Sequence, residues 1–392
     1  MATKSPEVPI NPLVLAWARK SLRLSVEEAA ELIGINVDTL QEWENGLSRP
    51  SFAQLKKVGN SYKRSTAVFL LPRPPEEAPV PKDFRVLDDK TEARLSPSTF
   101  IEIRKAQKKR DYALEMIKLS GQEPPTFKWK LTLENDPEEA GKAWRKRFGA
   151  KAASGLWKSE YDALNFWKNS IEDLGVLVFQ ASLQSVDELR GLAVYHTQIP
   201  IIMLNTKDSP RGRIFSLLHE FCHLLLQKSG IGNMEPSYAK KDNFNIIEIY
   251  CNAFAAACLL PIEELASEPG FLFIKNNKAE DTFLKSVAKK YQVSWDVVLR
   301  RLLTVGKISQ SFFNSKRTEL RELYDKQKKK ENGFVDYITK MVSQNGEPFI
   351  GMVLDSISNG HISVSEASDF LGIKANHFPK LQTQIQARKR RA

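Results

Sequence analysis

Cysteine is scarce in this chain: three residues in 392, Cys222, Cys251 and Cys258, with no C-x-x-C pair among them. That excludes a disulfide framework and leaves the three as small buried hydrophobes. No run of 18 or more apolar residues occurs, which excludes a membrane-spanning helix, and the N-terminus lacks the basic-then-apolar pattern of a secretory signal. A soluble, cytoplasmic protein is therefore expected, with no membrane partner. Histidine is nearly as rare as cysteine, with five in the whole chain. Acidic charge is also in deficit: 58 Lys and Arg stand against 47 Asp and Glu, a net charge of +11. The excess points weakly to an acidic or nucleic-acid partner, because clusters such as Arg104-Lys-Ala-Gln-Lys-Lys-Arg110 and Arg388-Lys-Arg-Arg391 are more often solvated helix faces than binding patches. The length calls for two to four domains.

What the chain does have is two helix-length runs that are apolar nearly all round and interrupted by metal-binding groups. The first reads Arg213-Ile-Phe-Ser-Leu-Leu-His219-Glu220-Phe221-Cys222-His223-Leu-Leu-Leu226, the second Ile246-Ile-Glu248-Ile-Tyr-Cys-Asn252-Ala-Phe-Ala-Ala-Ala-Cys-Leu-Leu260-Pro261. A helix turns about 100° per residue, so His219 and His223 project from one face and can reach one ion. Glu220 then sits beside the ion without ligating it, placed to take a proton from the attacking water and pass it to the leaving amine. With so few histidines, a chance H-E-x-x-H is expected only about once in 200 chains of this composition.

A catalytic zinc takes three protein ligands and keeps one position open. Glu248 is the candidate third ligand, because a carboxylate inside an all-apolar helix carries a large burial cost that a dication removes. Asn252, one turn on, is placed to accept a hydrogen bond from the outer nitrogen of a ligand histidine. Glu235 and Asp242, among Gly, Asn, Pro, Ser and Lys, are weaker candidates.

These two runs resemble the ImmA/IrrE family of metallo-endopeptidases, whose pattern is H-E-x-x-H, then E-x-x-A-N-x-F-A and an L-L-x-P ending. Here Cys251 stands for the alanine, and Leu259-Leu260-Pro261 lacks one residue. The resemblance spans about residues 175–305. It implies Zn2+ held by His219, His223 and Glu248, with Glu220 as general base.

Residues 11–62 read as short helices with Ser25 as an N-cap and Gly34 as a turn, the rhythm of a helix-turn-helix. They resemble the Xre/Cro-repressor family, including Trp43-Glu44-x-Gly46-x-x-x-Pro50. Thr39 and Gln41, early in the second helix of the motif, are the candidate contacts to double-stranded DNA. Asp38 opposes phosphate, and the charges over 11–62 cancel, so the electrostatic footprint of a DNA binder is weak there. A protein-docking bundle is the other use of such a fold.

Beyond this bundle, five prolines within residues 72–81 mark a linker. Helical periodicity then covers 97–119, 136–148 and 159–174, followed by strand-like runs at 175–180, 192–196 and 199–204. The stretch 199–205 is expected to be the sheet edge that takes up an extended peptide. His196, His361 and His377 are expected to be structural or surface residues. Ile362-Ser-Val-Ser-Glu-Ala-Ser-Asp-Phe-Leu-Gly-Ile373 repeats the helix-glycine-helix rhythm, with Ala367 and Leu371 inward, as a second helix-turn-helix or a docking module.

The expected fold is α+β: an all-α helix-turn-helix domain over 1–71, a proline-rich linker over 72–96, a zincin-like peptidase domain with a small sheet over 97–309 and a C-terminal helical module over 310–392. Two functions fit. One is a zinc endopeptidase that cuts a protein substrate, a transcriptional repressor by preference, coupled to DNA binding. The other is a DNA-binding antitoxin or repressor whose peptidase fold is regulatory, since this layout resembles antitoxin partners of PIN-type ribonuclease toxins.

Overall fold

The helix boundaries follow from capping chemistry that is local in the sequence. In the computed structural model, which describes residues 6–76, 95–149, 152, 157–228, 243–274, 278–328 and 336–389, Asn11 caps α1 (Pro12–Lys20) through a bond from the Leu13 amide. Ser25 and Glu28 form a reciprocal capping box on α2 (Val26–Ile33), which Gly34 ends at φ 74°. That left-handed conformation is one that glycine adopts without strain. α3 (Val37–Glu44) follows at once, and a second capping box, Ser51 with Gln54, opens α4 (Phe52–Tyr62). A 3₁₀ turn at Thr66–Leu70 brings Phe69 into the core beside α1.

The chain divides into two compact units, Met1–Val80 with Arg94–Gln107, and Pro81–Ala93 with Lys108–Ala392. The first has a core of Val14, Leu15, Ala30, Leu40, Trp43, Leu55, Val58, Tyr62 and Phe69. Arg19 of α1 grips Glu44 of α3 with two bonds of 2.9 and 2.8 Å, satisfying both charges at the edge of that core. Helix α5 (Pro97–Leu119) contributes its first residues to this unit, where Arg23 lies over the Phe100 ring.

In the second unit, α6 (Pro137–Arg147) and α7 (Glu160–Glu172) precede a three-stranded sheet of β1 (Leu177–Ala181), β2 (Gly191–Val194) and β3 (Ile201–Asn205). The two apolar runs form α8 (Pro210–Leu225) and α9 (Asn243–Leu259). α10 (Ile262–Ala266), α11 (Asp281–Tyr291), α12 (Trp295–Thr304) and α13 (Gln310–Lys328) follow. The chain continues through α14 (Tyr337–Asn345), α15 (Glu347–Ser358), α16 (Val364–Leu371) and α17 (Phe378–Lys389).

The expectation that 199–205 forms a sheet edge is wrong. The strand order is β1-β3-β2, with β3 parallel to β1 (Leu177 opposite Ile201) and antiparallel to β2 (Gly191 opposite Leu204). Every residue of β3 is buried. The run Ile201-Ile-Met-Leu204 has no polar alternation, as suits a strand covered on both faces and both edges. The outer edge of β1 is occupied as well. Leu177 and Ala181 bond toward β3, so by alternation the Val178 carbonyl points away from it. There it meets Gly346 between α14 and α15, so closely that a Cβ at Gly346 would lie 2.9 Å from that oxygen. Phe179 also packs edge-on against Phe349 of α15. The edge left unpaired by strands or the C-terminal helices, among the described residues, is that of β2.

α9 is held from both ends of its surroundings. Gly141 of α6 lets the two helices touch, because a Cβ there would come within 2.7 Å of Ala257 Cβ. Arg145 donates to the Cys258 and Leu259 carbonyls at 3.0 and 3.1 Å, and Arg301 donates to the Leu260 carbonyl at 2.7 Å. These bonds satisfy carbonyls that a helix C-terminus leaves open. No described helix is long and apolar enough to cross a membrane.

Candidate metal centre

α8 begins at Ser209, whose hydroxyl accepts from the Gly212 amide, with Pro210 in the first turn, where its missing N–H costs nothing. From Arg213 to Leu225 every side chain is buried, since the helix packs on the sheet, α7 and α9. His219, Glu220 and His223 are therefore core residues, and Glu248 of α9 meets them there at 1% exposure. The predicted burial of Glu248 is what the structure shows.

Their geometry is that of a ligand set. Glu248 Oε2 lies 3.2 Å from His219 Nε2, Glu248 Oε1 lies 3.0 Å from His223 Nε2, and the two imidazole nitrogens are 3.2 Å apart. A tetrahedral zinc with ligands at roughly 2.0–2.2 Å spaces its ligand atoms roughly 3.3–3.6 Å apart, a little wider than this triangle. His219 Nδ1 faces Asn252 Oδ1 at 3.1 Å, so Nδ1 carries the proton and Nε2 presents a lone pair. Neither Glu248 oxygen makes a hydrogen bond. Acceptors converging on one buried point repel one another, and a cation removes the conflict. These residues fit a divalent metal, and they are the one such group of His, Cys, Asp and Glu among the described residues.

Glu220 stands beside the triangle with its Oε2 buried and unpartnered. Burial pushes its carboxyl up to about 7, against the pull of His223 and His219 and with Glu248 adding to the rise. Burial works the same way on Glu248, but in the metal-free site His219 and His223, when protonated at the nitrogens that would otherwise face a metal, outweigh it and hold that carboxyl at about 2. Two neighbouring carboxyls are thus driven apart, one toward neutral pH, where it can accept and return a proton, and one fixed as an anion.

Two neighbours were not legible beforehand. Gly191, at the start of β2, is so close to Glu220 that a Cβ there would lie 3.1 Å from Cγ, which sets the β2 edge beside the proposed base. A glycine at a strand start carries no sequence signal for this. Cys251, expected only as a small filler, lies against His223, whose Nδ1 has no oxygen or nitrogen partner. Burial pushes the Cys251 thiol well above its ordinary range, so it stays protonated, and Cys222 adjoins it. All three cysteines are buried and free.

The other candidates fall elsewhere. Thr39 is half-buried and Gln41 exposed on α3, in the first unit, while Glu235 and Asp242 lie outside the described residues. His196 is half-buried just beyond β2 with Nε2 unpartnered, and burial together with nearby Arg110 pulls it down to about 4. His361 is exposed and His377 packs on Tyr337, with ring centroids 4.8 Å apart.

Comparison with known families agrees with this layout. Residues 171–303 match a peptidase family model described as the IrrE N-terminal-like domain, and residues 15–69 match one described as helix-turn-helix. The peptidase-like segment contains the sheet, both apolar helices and all of the clustered residues. No curated protein matches the chain.

Proposed function

We propose that this chain is a zinc-dependent endopeptidase acting on a protein, joined to a DNA-binding helix-turn-helix. The observation that carries the reading is the buried triangle of His219, His223 and Glu248 acceptors with Glu220, its Oε2 unpartnered, at its side. Zinc bound there would supply Lewis acidity and lower the pKa of a water molecule toward neutrality. Glu220 accepts the proton of the attacking water and returns it to the amine nitrogen as the peptide bond breaks. Asn252 orients His219 through Nδ1, which keeps the lone pair of Nε2 turned inward.

The substrate is an extended segment of polypeptide, added along β2, whose outer edge pairs with no described strand although its four residues are buried. The Asn205 amide donates to the Arg190 carbonyl at 2.9 Å, so the antiparallel alternation turns the peptide groups of Gly191 and Ala193 outward. Main-chain bonds to that edge hold a peptide without demanding particular side chains, and the strand begins beside Glu220. A repressor is the preferred substrate, in the cytoplasm, because the helix-turn-helix unit ties the chain to transcription.

The antitoxin reading, with the peptidase fold regulatory and a PIN-type toxin as partner, has the same helix-turn-helix in its favour. An idle site would have no use for a complete ligand set and base, which favours the enzyme. Zinc content and cleavage of co-expressed repressors, measured for wild type and Glu220→Gln, separate the two. We expect equal zinc in both and a rate about 10²–10⁴ lower in the variant. Equal cleavage by the two proteins would sink the peptidase reading, and toxin neutralisation by Glu220→Gln would support the alternative.

A further inference from the structure

Residues 25–36 and 363–374 are two copies of one pattern. The first reads Ser25-Val-Glu-Glu-Ala-Ala-Glu-Leu-Ile-Gly-Ile-Asn36 and the second Ser363-Val-Ser-Glu-Ala-Ser-Asp-Phe-Leu-Gly-Ile-Lys374, identical at Ser, Val, Glu, Ala, Gly and Ile. The structures agree at the same places. Ser363 and Glu366 form the capping box that Ser25 and Glu28 form on α2. Gly372 ends α16 at φ 66°, ψ 32°, as Gly34 ends α2 at 74°, 51°. The Ile373 amide returns to the Ser368 carbonyl at 3.1 Å, as Ile35 returns to Ala30 at 3.0 Å. Lys374 then opens the next helical segment at φ −73°, ψ 145°, against −71°, 147° at Asn36. The inward positions also correspond: Leu40 and Trp43 of α3 match Phe378 and Leu381, of which Leu381 is fully buried and Phe378 partly so.

The two copies differ in charge. Residues 25–46 hold six acidic side chains and no basic one, whereas 363–384 hold two of each, and the chain then runs on to Arg388-Lys-Arg-Arg391. From Phe370 to the end of the sequence there is no acidic residue. At the outward positions of the second helix, Asn376 and Lys380 stand where the first copy has Asp38 and Glu42. Lys374, Asn376, Lys380 and Thr383 are all exposed, and neither lysine enters an ion pair among the described residues. Glu366 and Asp369, also exposed, belong to the preceding helix α16.

We propose that residues 363–386 are a second helix-turn-helix, and that the face of Lys374, Asn376, Lys380 and Thr383 binds duplex DNA. A second helix that enters the major groove with its first residues needs cations near phosphate and short polar groups near base edges. This copy has both, and the N-terminal copy lacks the cations. The proposal does not depend on peptidase activity.

Full-length protein and a labelled random-sequence 30-base-pair duplex test it by fluorescence anisotropy between 50 and 200 mM salt. Lys374→Glu with Lys380→Glu should weaken binding at least tenfold and lower the salt slope by about 2, as loss of two phosphate contacts requires. The milder Lys374→Gln with Lys380→Gln should shift affinity and slope in the same direction. Unchanged affinity and slope in both lysine variants, with wild-type circular dichroism and melting temperature, would overturn the proposal. So would loss of a co-purifying protein in those variants while duplex binding stays intact, since the face would then dock protein.

Discussion

The N-terminal bundle and the α8–α9 pair each bury ionisable side chains, but they treat them in opposite ways. In the bundle, Arg19 and Glu44 satisfy each other with two bonds, and both helix-start serines are paired reciprocally with the glutamate or glutamine three residues on. In the α8–α9 pair, Oε2 of Glu220 and both oxygens of Glu248 are left without hydrogen bonds in the buried interior. In the first region the charged pair is complete once folded, and one group left without a partner is the neutral Tyr62 hydroxyl. The second holds acceptors whose balance comes from something the polypeptide does not itself supply. Satisfied burial marks a structural role, and unsatisfied burial at convergent geometry marks a site.

Removing half of a satisfied pair should do the most damage to folding. Glu44→Ala leaves Arg19 nearly buried and unpaired, and we expect about 3 kcal/mol of destabilisation by chemical denaturation. A loss below about 0.5 kcal/mol would show that the pair is no more than a surface contact. In the other region the expected damage is to binding. Asn252→Ala frees Nδ1 of His219 and should weaken zinc about 10- to 100-fold in competition with a chelator, while the metal-free melting temperature stays close to wild type. Should stability fall instead and zinc affinity hold, Asn252 belongs with the structural residues.

The smallest effect concerns pH. Glu220 has a folded pKa of about 7, above its ordinary value of 4.5. The folded state therefore favours the protonated form: that stabilisation is fully present below pH 4.5 and lost as pH rises through 7. In metal-free protein, Glu220→Gln should raise the melting temperature at pH 8 by a larger margin than at pH 5. A gap that is constant with pH would place Glu220 among ordinary solvated carboxylates and erase the contrast between the two regions.

Much of this was legible in the residues themselves. The capping serines, Gly34 and the i, i+4 histidines are local signals, and the burial of Glu248 followed from an apolar run with no solvated face. The strand order was not legible. Ile201-Ile-Met-Leu204 says that a strand is buried, but its neighbours are chosen by pairing with residues before and after it in the chain, so the edge was assigned to the wrong strand. Gly191 beside Glu220 and Cys251 beside His223 were hidden for the same reason, being contacts between elements rather than within one.

By itself the sequence determined which groups are available: two histidines one helical turn apart, a carboxylate that must be buried, two serine-capped helix-glycine-helix motifs and the unequal charge on them. Those properties depend on helical periodicity and composition, which act over a few residues. Tertiary structure decided where α8 and α9 cross, so that three acceptors meet within 4.8 Å, and which outer strand of the sheet lies beside Glu220. Convergence of that kind arises from packing between distant segments, where the burial of apolar surface sets the positions and the polar groups are carried along with it.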